Sequence, residues 1–332
     1  MLKVGIIGTG FGMYGHLPAF ATTNNCQVVS ICGEKSERLS KFCKKYKVEK
    51  VYSDWKEMLK AEKLDAVSIA VVPDAQYEIA KFAIKKGINV FAEKPLTANL
   101  KQAEELYRLS QKAKITTAVD FIFPQVPEFK KVKELLVKKE IGELEYIKAE
   151  WDFLSHDLAR KLKSWKTDSK KGGGALAYYF SHVLYYLTDF LGEITFKKAQ
   201  LIHSQKSLSG GEAGVDVFFK AKKATGIAHL NCSAEGLNRH SIIFTGGKGG
   251  IVLENKQDVV QGFEITVYRN SKVKKVKAGK KFIANEDQRV AIVKENVSKF
   301  VEGCLKHKPI KPSFKEGLEV QKLISHLRKI SI

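Results

Sequence analysis

Three glycines fall close together near the start of the 332-residue chain, in Gly8-Thr9-Gly10-Phe11-Gly12-Met13. The apolar run Leu2-Lys-Val-Gly-Ile-Ile7 leads into them, and a stretch that reads as helix over 13–24 follows, with Pro18 tolerable only near a first turn. Strand, glycine loop and helix in that order bind a dinucleotide. The first glycine permits a tight turn, the second lets backbone approach a pyrophosphate, and helix N-terminal amides take its charge. The spacing departs from G-x-G-x-x-G, because Met13 holds the third glycine position and Gly12 comes one residue early. The expected cofactor is NAD or NADP. An acid at the end of the second strand would hold the ribose 2′-hydroxyl of NAD. Here that strand ends Cys32-Gly33-Glu34-Lys35-Ser36, and Gly33 removes a barrier to a 2′-phosphate. Glu34 can still reach a ribose, whereas Lys35, Ser36 and Arg38 favour a phosphate, so the reading leans to NADP.

Further candidates sit at other strand ends. In an open α/β sheet the carboxyl ends of strands border the ligand crevice, which places Val72-Pro73 and Glu93-Lys94 beside the cofactor. Tyr178, His182 and Tyr185 fall at i, i+4 and i+7, so on one helix they share a face. Trp165-Lys166 either line a pocket or cover it, and Trp151, Asp152 and His156 lie on a strand and the loop after it. The five cysteines are odd in number and form no C-x-x-C pair, which argues against a disulfide framework and a zinc site and suits a reducing cytoplasm. No metal is expected. Gly246-Gly-Lys-Gly-Gly250 looks like a phosphate loop, but two strand-like runs flank it, so a hairpin turn is expected.

The elements that must position these residues alternate. Short apolar strands at 2–7, 27–32, 51–52, 65–72, 88–92 and 115–119 are separated by amphipathic helices, such as the one striped by Leu39, Phe42, Cys43 and Tyr46. Crossovers long enough to hold a helix demand parallel pairing, and hence a doubly wound α/β sheet. After Asp120 the pattern changes: Pro124 and Pro127 punctuate the chain, and longer alternating strands at 144–153, 214–220 and 225–232 read as antiparallel. The expected organisation is a dinucleotide-binding domain over 1–121 and a substrate-binding and oligomerisation domain over 122–332.

Composition sets bounds. Hydrophobic residues at 44% and charged residues at 28% are those of a globular protein. No apolar run reaches eighteen residues, so no membrane span is expected. The start of the chain reads as a strand rather than a signal peptide, with one early cation and no small-residue cleavage site. The formal charge of +21 raises nucleic acid as a partner, but only seven of the basic residues are arginine and the lysines are scattered along helices, so none is expected.

The run Gly87-x-x-Val90-x-x-Glu93-Lys94-Pro95-Leu96 resembles the signature of the glucose–fructose oxidoreductase/inositol dehydrogenase/rhizopine catabolism (Gfo/Idh/MocA) family. Gly5-Ile-Ile-Gly-Thr-Gly-Phe-Gly12, His16-Leu-Pro-Ala-Phe20, Ile141-Gly-Glu143, Gly172-Gly-Gly-Ala-Leu176 and Pro312-Ser-Phe-x-x-Gly317-Leu-x-Val-Gln321 extend the resemblance over nearly the whole chain. It implies a Rossmann domain followed by an α/β domain with an open, mostly antiparallel sheet, which in the family often joins subunits into a homodimer or homotetramer. The implied chemistry is hydride transfer between NAD(P) and a hydroxyl or keto carbon of a sugar, cyclitol or sugar nucleotide. Lys94 would hold the reacting oxygen and His182 would be the acid/base, with Tyr178 as a third catalytic residue and Trp165, Lys166 and Tyr178 beside the substrate.

The chain also departs from the family. The common G-G-G-x-L-x-D-x-G-x-H-x-x-D reads here with Tyr178 and Tyr185 in place of both aspartates; a tyrosine can hydrogen-bond but does not stabilise an imidazolium as a carboxylate does. Tyr77 stands where many members carry a histidine, and Pro124 where an arginine is common. Three readings stay open: an oxidoreductase whose tyrosines reshape the pocket, a non-catalytic dinucleotide-binding regulator, and a lyase-like or glycoside-cleaving cycle that recycles its cofactor. His182 as an ordinary core histidine is the alternative to its acid/base role.

Overall fold

A computed structural model describes residues 1–257, 259–279 and 288–331. The chain divides into two compact units, Met1–Ile122 with Phe282–Gln321 and Phe123–Lys281 with Lys322–Ile332. A single boundary near 121 therefore misses a return of the chain. The helix Gln288–Lys306 packs on the first unit, with Phe300 edge-on to Phe20 and Phe91 at 6.2 and 5.6 Å. The Phe300 ring has these partners more than two hundred residues upstream, which is why local reading missed it.

The first unit is built on a six-stranded parallel sheet of β1 (Leu2–Ile7), β2 (Cys26–Cys32), β3 (Lys50–Tyr52), β4 (Ala66–Ile69), β5 (Asn89–Ala92) and β6 (Thr117–Val119), in the order β3-β2-β1-β4-β5-β6. The strand order reverses between β1 and β4, the switch point at which such sheets open a ligand crevice. Leu2, Val4, Ile6 and Ile7 are all buried, as a strand covered on both faces requires. Helices start where side chains satisfy their first amides: Ser36, Asp54 and Asn99 accept from the N–H groups of Leu39, Glu57 and Gln102. Residues 70–72 leave the sheet earlier than their apolar character suggests, and Val72 becomes the N-cap of the helix Pro73–Lys85. After the glycine loop the chain makes a π-helical turn, Gly12–His16, before the α-helix Leu17–Ala21, so that Pro18 falls in an α first turn where its missing N–H costs nothing.

The second unit carries an eight-stranded sheet of β7 (Leu144–Asp152), β8 (Thr195–Ile202), β9 (Gly214–Ala221), β10 (Ala224–Asn231), β11 (Arg239–Gly246), β12 (Gly249–Asn255), β13 (Glu264–Arg269) and β14 (Lys272–Val276), ordered β14-β13-β12-β11-β7-β10-β9-β8. All neighbours are antiparallel except β7 and β10. Val215, Val217 and Phe219 face the core while Phe218 is exposed, the alternation of a sheet with one covered face. The glycine run 246–250 is the hairpin between β11 and β12. Gly249 lies there at φ +151°, and a Cβ on it would meet Tyr268 O at 2.1 Å.

Candidate active site

The glycine loop leaves β1 at a position only glycine fits. Gly8 has φ +115°, and a Cβ would lie 2.2 Å from the carbonyl oxygen of Ala70, just past β4. Gly8 N–H donates to Cys32 O at 2.9 Å, tying the loop to the end of β2. Gly10 differs: it is exposed, and a Cβ there would meet nothing within 4 Å. Space over exposed backbone ahead of a helical turn fits a pyrophosphate. Gly12 packs on Ala70.

Gly33 lies under the loop, where a Cβ would come 2.3 Å from Thr9 Cγ2. Thr9 thus fills the place an acid would need. Glu34, Lys35 and Arg38 are exposed beyond it, and the Arg38 guanidinium lies 5.7 Å from the Tyr14 ring centre. Arg289, from the returning helix, stands 4.8 Å over Phe11 and 5.7 Å over Tyr14. Two guanidiniums therefore flank rings beside the positive end of a helical turn, an arrangement suited to an anion.

At the end of β5 the turn Glu93-Lys94-Pro95-Leu96 is held by buried side chains. Gln76 donates from Nε2 to the carbonyls of Glu93, Pro95 and Leu96 at 2.7, 3.1 and 3.1 Å, and its Oε1 accepts from Glu93 N–H. The Glu93 carboxylate accepts the Lys94 N–H through Oε2 at 3.0 Å and meets His16 Nε2 through Oε1 at 3.1 Å. His16 Nδ1 lies 2.8 Å from Ser68 Oγ on β4. Asp120 Oδ2, after β6, lies 3.6 Å from His16 Nε2, and Asp120 Oδ1 accepts from Asn296 Nδ2 at 2.8 Å. Burial alone would lower the His16 pKa, but the Asp120 and Glu93 carboxylates raise it to about 9. Burial opposes ionisation of Glu93, yet His16 holds its carboxyl below the ordinary value, while burial pushes Asp120 up. One donor atom from each of His16, Glu93 and Asp120 lies within 4.8 Å of the others, a grouping with metal-like ligands. The 3.1 Å Nε2–Oε1 separation is that of a hydrogen bond, and the cluster is read as proton-linked.

In the second unit the glycine run is packed against protein. A Cβ on Gly173 would meet Trp165 O at 1.9 Å, and one on Gly174 (φ +84°) would strike the Glu212 carboxylate. This run brings three candidates together. Tyr178 stands edge-on to Trp165 at 5.3 Å, with Lys166 Nζ 5.3 Å from the Tyr178 ring centre. Tyr178 and His182 do not share one continuous helix, however. The helix Ala175–Tyr178 stops, Tyr179 forms a joint, and Phe180–Leu191 starts anew, with His182 N–H donating to Tyr179 O instead of one residue further back. Tyr179 is clamped between Trp151, Phe153 and Tyr178, which breaks the expected i, i+4 register. His182 is 6% exposed, its ring edge-on to Phe123 at 5.2 Å. Trp151 stacks on His240 and Asp152 pairs with His229 and Arg239, so both serve the sheet, while His156 is exposed. Tyr77 donates to Glu105 at 2.5 Å, and Pro124 lies in the 3-10 turn Phe123–Gln125.

Residues 2–121 match the oxidoreductase family with an NAD-binding Rossmann fold, and residues 129–252 match the GFO/IDH/MocA C-terminal domain. The chain belongs to the Gfo/Idh/MocA oxidoreductase family. An uncharacterized oxidoreductase of Synechocystis sp. is 30% identical over 278 residues, covering 80% of this Gfo/Idh/MocA protein and 75% of the relative. Trans-1,2-dihydrobenzene-1,2-diol dehydrogenase of Xenopus tropicalis is 25% identical over 150 residues, 45% of this chain and 44% of that one. Among solved structures, levoglucosan dehydrogenase in complex with NADH and L-sorbose superposes with a TM-score of 0.86 at 19% identity, covering 99% and 96% of the two chains. A 3-ketoreductase from Actinomadura kijaniata with NADP and TDP-benzene gives 0.82 at 20%, covering 99% and 98%. These two establish the Gfo/Idh/MocA fold.

Sequence reading of this Gfo/Idh/MocA chain missed Gln76, Asp120, Asn296 and Arg289, and it used His16 only as part of a motif. A polar residue inside an apolar stripe is the available signal. Gln76 between Pro73 and Tyr77 and Asp120 after Val119 both show it. Among the described residues no helix is long and apolar enough to cross a membrane, and the five cysteines carry free thiols.

Proposed function

We propose that this protein is an NAD(P)-dependent oxidoreductase that moves hydride to or from a hydroxyl or keto carbon of a sugar, cyclitol or sugar nucleotide. The observation that carries the reading is the Lys94 turn on the carboxyl edge of the Rossmann sheet, tied through Glu93 and His16 to the turn after the glycine loop. The loop of Gly8, Thr9, Gly10, Phe11 and Gly12 would hold the pyrophosphate. Gly33, Glu34, Lys35 and Arg38 would meet the adenosine ribose, and Val72, Pro73, Glu93 and Lys94 would border the nicotinamide end. A bound nicotinamide supplies the hydride donor or acceptor. Gly33 and Arg38 lean the choice toward NADP, whereas NADH and NADP each occur in the similar structures. The Lys94 ammonium stabilises negative charge developing on the substrate oxygen. His182 takes or returns the hydroxyl proton, a task an imidazole suits because its unperturbed pKa is about 6.5. Trp165, Lys166 and Tyr178 form a wall for the substrate, and the eight-stranded sheet is the proposed contact between copies of a cytoplasmic homodimer or homotetramer.

The relatives suggest a substrate panel: levoglucosan, D-apiose and trans-1,2-dihydrobenzene-1,2-diol with NAD and NADP, and a dTDP-linked keto sugar with NADH and NADPH. The expected result is an absorbance change at the nicotinamide band with at least one pair. Lys94→Ala should then lower turnover by about 10²–10³-fold, the size of losing a group that stabilises an oxyanion, while dinucleotide binding persists. A Lys94→Ala protein that turns over at the parent rate defeats the role given to Lys94. The second reading is a dinucleotide-binding protein without turnover, favoured by Tyr178 and Tyr185 standing where a carboxylate would serve His182. Binding with no turnover across the panel would select it.

A further inference from the structure

We propose that His16 is a positioning residue for Lys94, acting through Glu93 to hold the backbone of the turn that carries the lysine. The inference rests on the catalytic reading of Lys94 above, but its geometry lies wholly in the first unit. His16 is fully buried in the π-helical turn that follows the glycine loop. Its one imidazole touches side chains from three strand ends: Ser68 on β4, Glu93 after β5 and Asp120 after β6. The ring is fixed edge-on by Phe11 at 5.3 Å and Phe91 at 5.2 Å.

Glu93 is the link. One carboxylate oxygen meets His16 and the other accepts the Lys94 amide N–H, so the imidazole and the lysine backbone are joined by a single rigid group. Gln76 fixes the backbone of Glu93, Pro95 and Leu96. Together these bonds hold the turn from both sides of the lysine.

Packing alone does not account for the cluster. The His16 imidazole and the Asp120 carboxylate are wholly out of water and the Glu93 carboxylate is largely so, which is costly, and apolar residues of similar volume often serve stability as well or better. A buried charged set beside a ligand crevice instead suits a geometry that must be held within a fraction of an ångström. The ionisable groups facing His16 are Glu93 and Asp120, both acidic, and they keep the imidazole a cation; Asn296 supports Asp120 from the returning helix.

The test compares His16→Gln with His16→Met in the full-length protein. The two side chains are close in shape, and only glutamine keeps an N–H near the place of Nε2. Amide hydrogen exchange is followed at Lys94 and across β1 and β2. His16→Met should speed exchange at Lys94 at least tenfold more than across β1 and β2, which report the global loss of stability, and His16→Gln should recover most of that excess. If His16→Met does not fold, His16→Leu provides the apolar comparison at a similar volume. Unchanged exchange at Lys94 in the apolar variant overturns the proposal, as does equal loss of protection throughout the unit in both variants. Exchange needs no substrate, so a Lys94→Ala protein with full turnover would sink the catalytic reading of Lys94 while leaving the hold of His16 on residue 94 separately decided.

Discussion

His16 shows how a single side chain can make folding stability depend on pH. In the unfolded chain its imidazole titrates at the ordinary 6.5, and in the folded protein the Asp120 and Glu93 carboxylates lift it to about 9 against the opposing pull of burial. A proton bound more tightly in the folded state stabilises that state wherever the proton is present. The contribution is therefore complete below about pH 6.5 and is lost as pH rises through about 9. Its size is on the order of 3 kcal/mol, because a difference of one in pKa between the folded and unfolded states is worth about 1.36 kcal/mol. Urea midpoints measured from pH 6 to 10 should fall more steeply for the parent than for His16→Gln. Parallel curves for the two proteins would contradict the assignment. His240 behaves in the opposite way: burial holds its pKa down to about 3, and it stays neutral against Trp151 and the Tyr186 hydroxyl.

At the scale of elements, the glycine loop separates two demands that one motif seems to combine. Gly8 is required by the fold, since its φ of +115° and the nearby Ala70 carbonyl exclude a side chain. Gly10 faces open space and is free of any such demand. Gly8→Ala should therefore lower the melting temperature, with strain of about 1–3 kcal/mol from the positive φ and more from the clash. Gly10→Ala should leave the melting temperature unchanged and weaken dinucleotide binding at least tenfold, because its methyl would occupy the approach to the pyrophosphate. Calorimetry with cofactor titration reads both; a Gly10→Ala protein that binds NAD and NADP like the parent would remove the loop from the cofactor site. The helix pair Ala175–Tyr178 and Phe180–Leu191 teaches a related lesson. Spacing at i and i+4 places residues on one face only while the helix continues, and Tyr179 interrupts it.

At the scale of the whole molecule, the chain leaves the first unit at Ile122 and comes back to it, with Gln288–Lys306 as the described helix of the return. That helix supplies Phe300 to the rings of Phe20 and Phe91 and Asn296 to Asp120. The start of the last helix follows it, with Phe314 N–H donating to Thr117 Oγ1 and Gly317 tight against Leu96 and Val119. A fragment ending at 122 would expose those aromatic rings and leave Asp120 without Asn296. It should lack a cooperative melting transition by circular dichroism, whereas the full chain should show one. A fragment 1–122 that melts cooperatively would show that the return adds nothing essential.

The sequence by itself determined the alternation of strands and helices, the parallel sheet, the glycine loop and the Glu93-Lys94 turn at a strand end. All of these are written in short-range periodicity and in residues whose backbone demands are local. Tertiary structure alone decided that His16, Glu93, Asp120 and Asn296 meet, that Thr9 occupies the space over Gly33, and that the last third of the chain is divided between two units. The reason is physical. Periodicity reports which face of an element is apolar, but a buried polar group finds its partner wherever the packed chain brings one within hydrogen-bond reach, and that distance has no counterpart along the sequence.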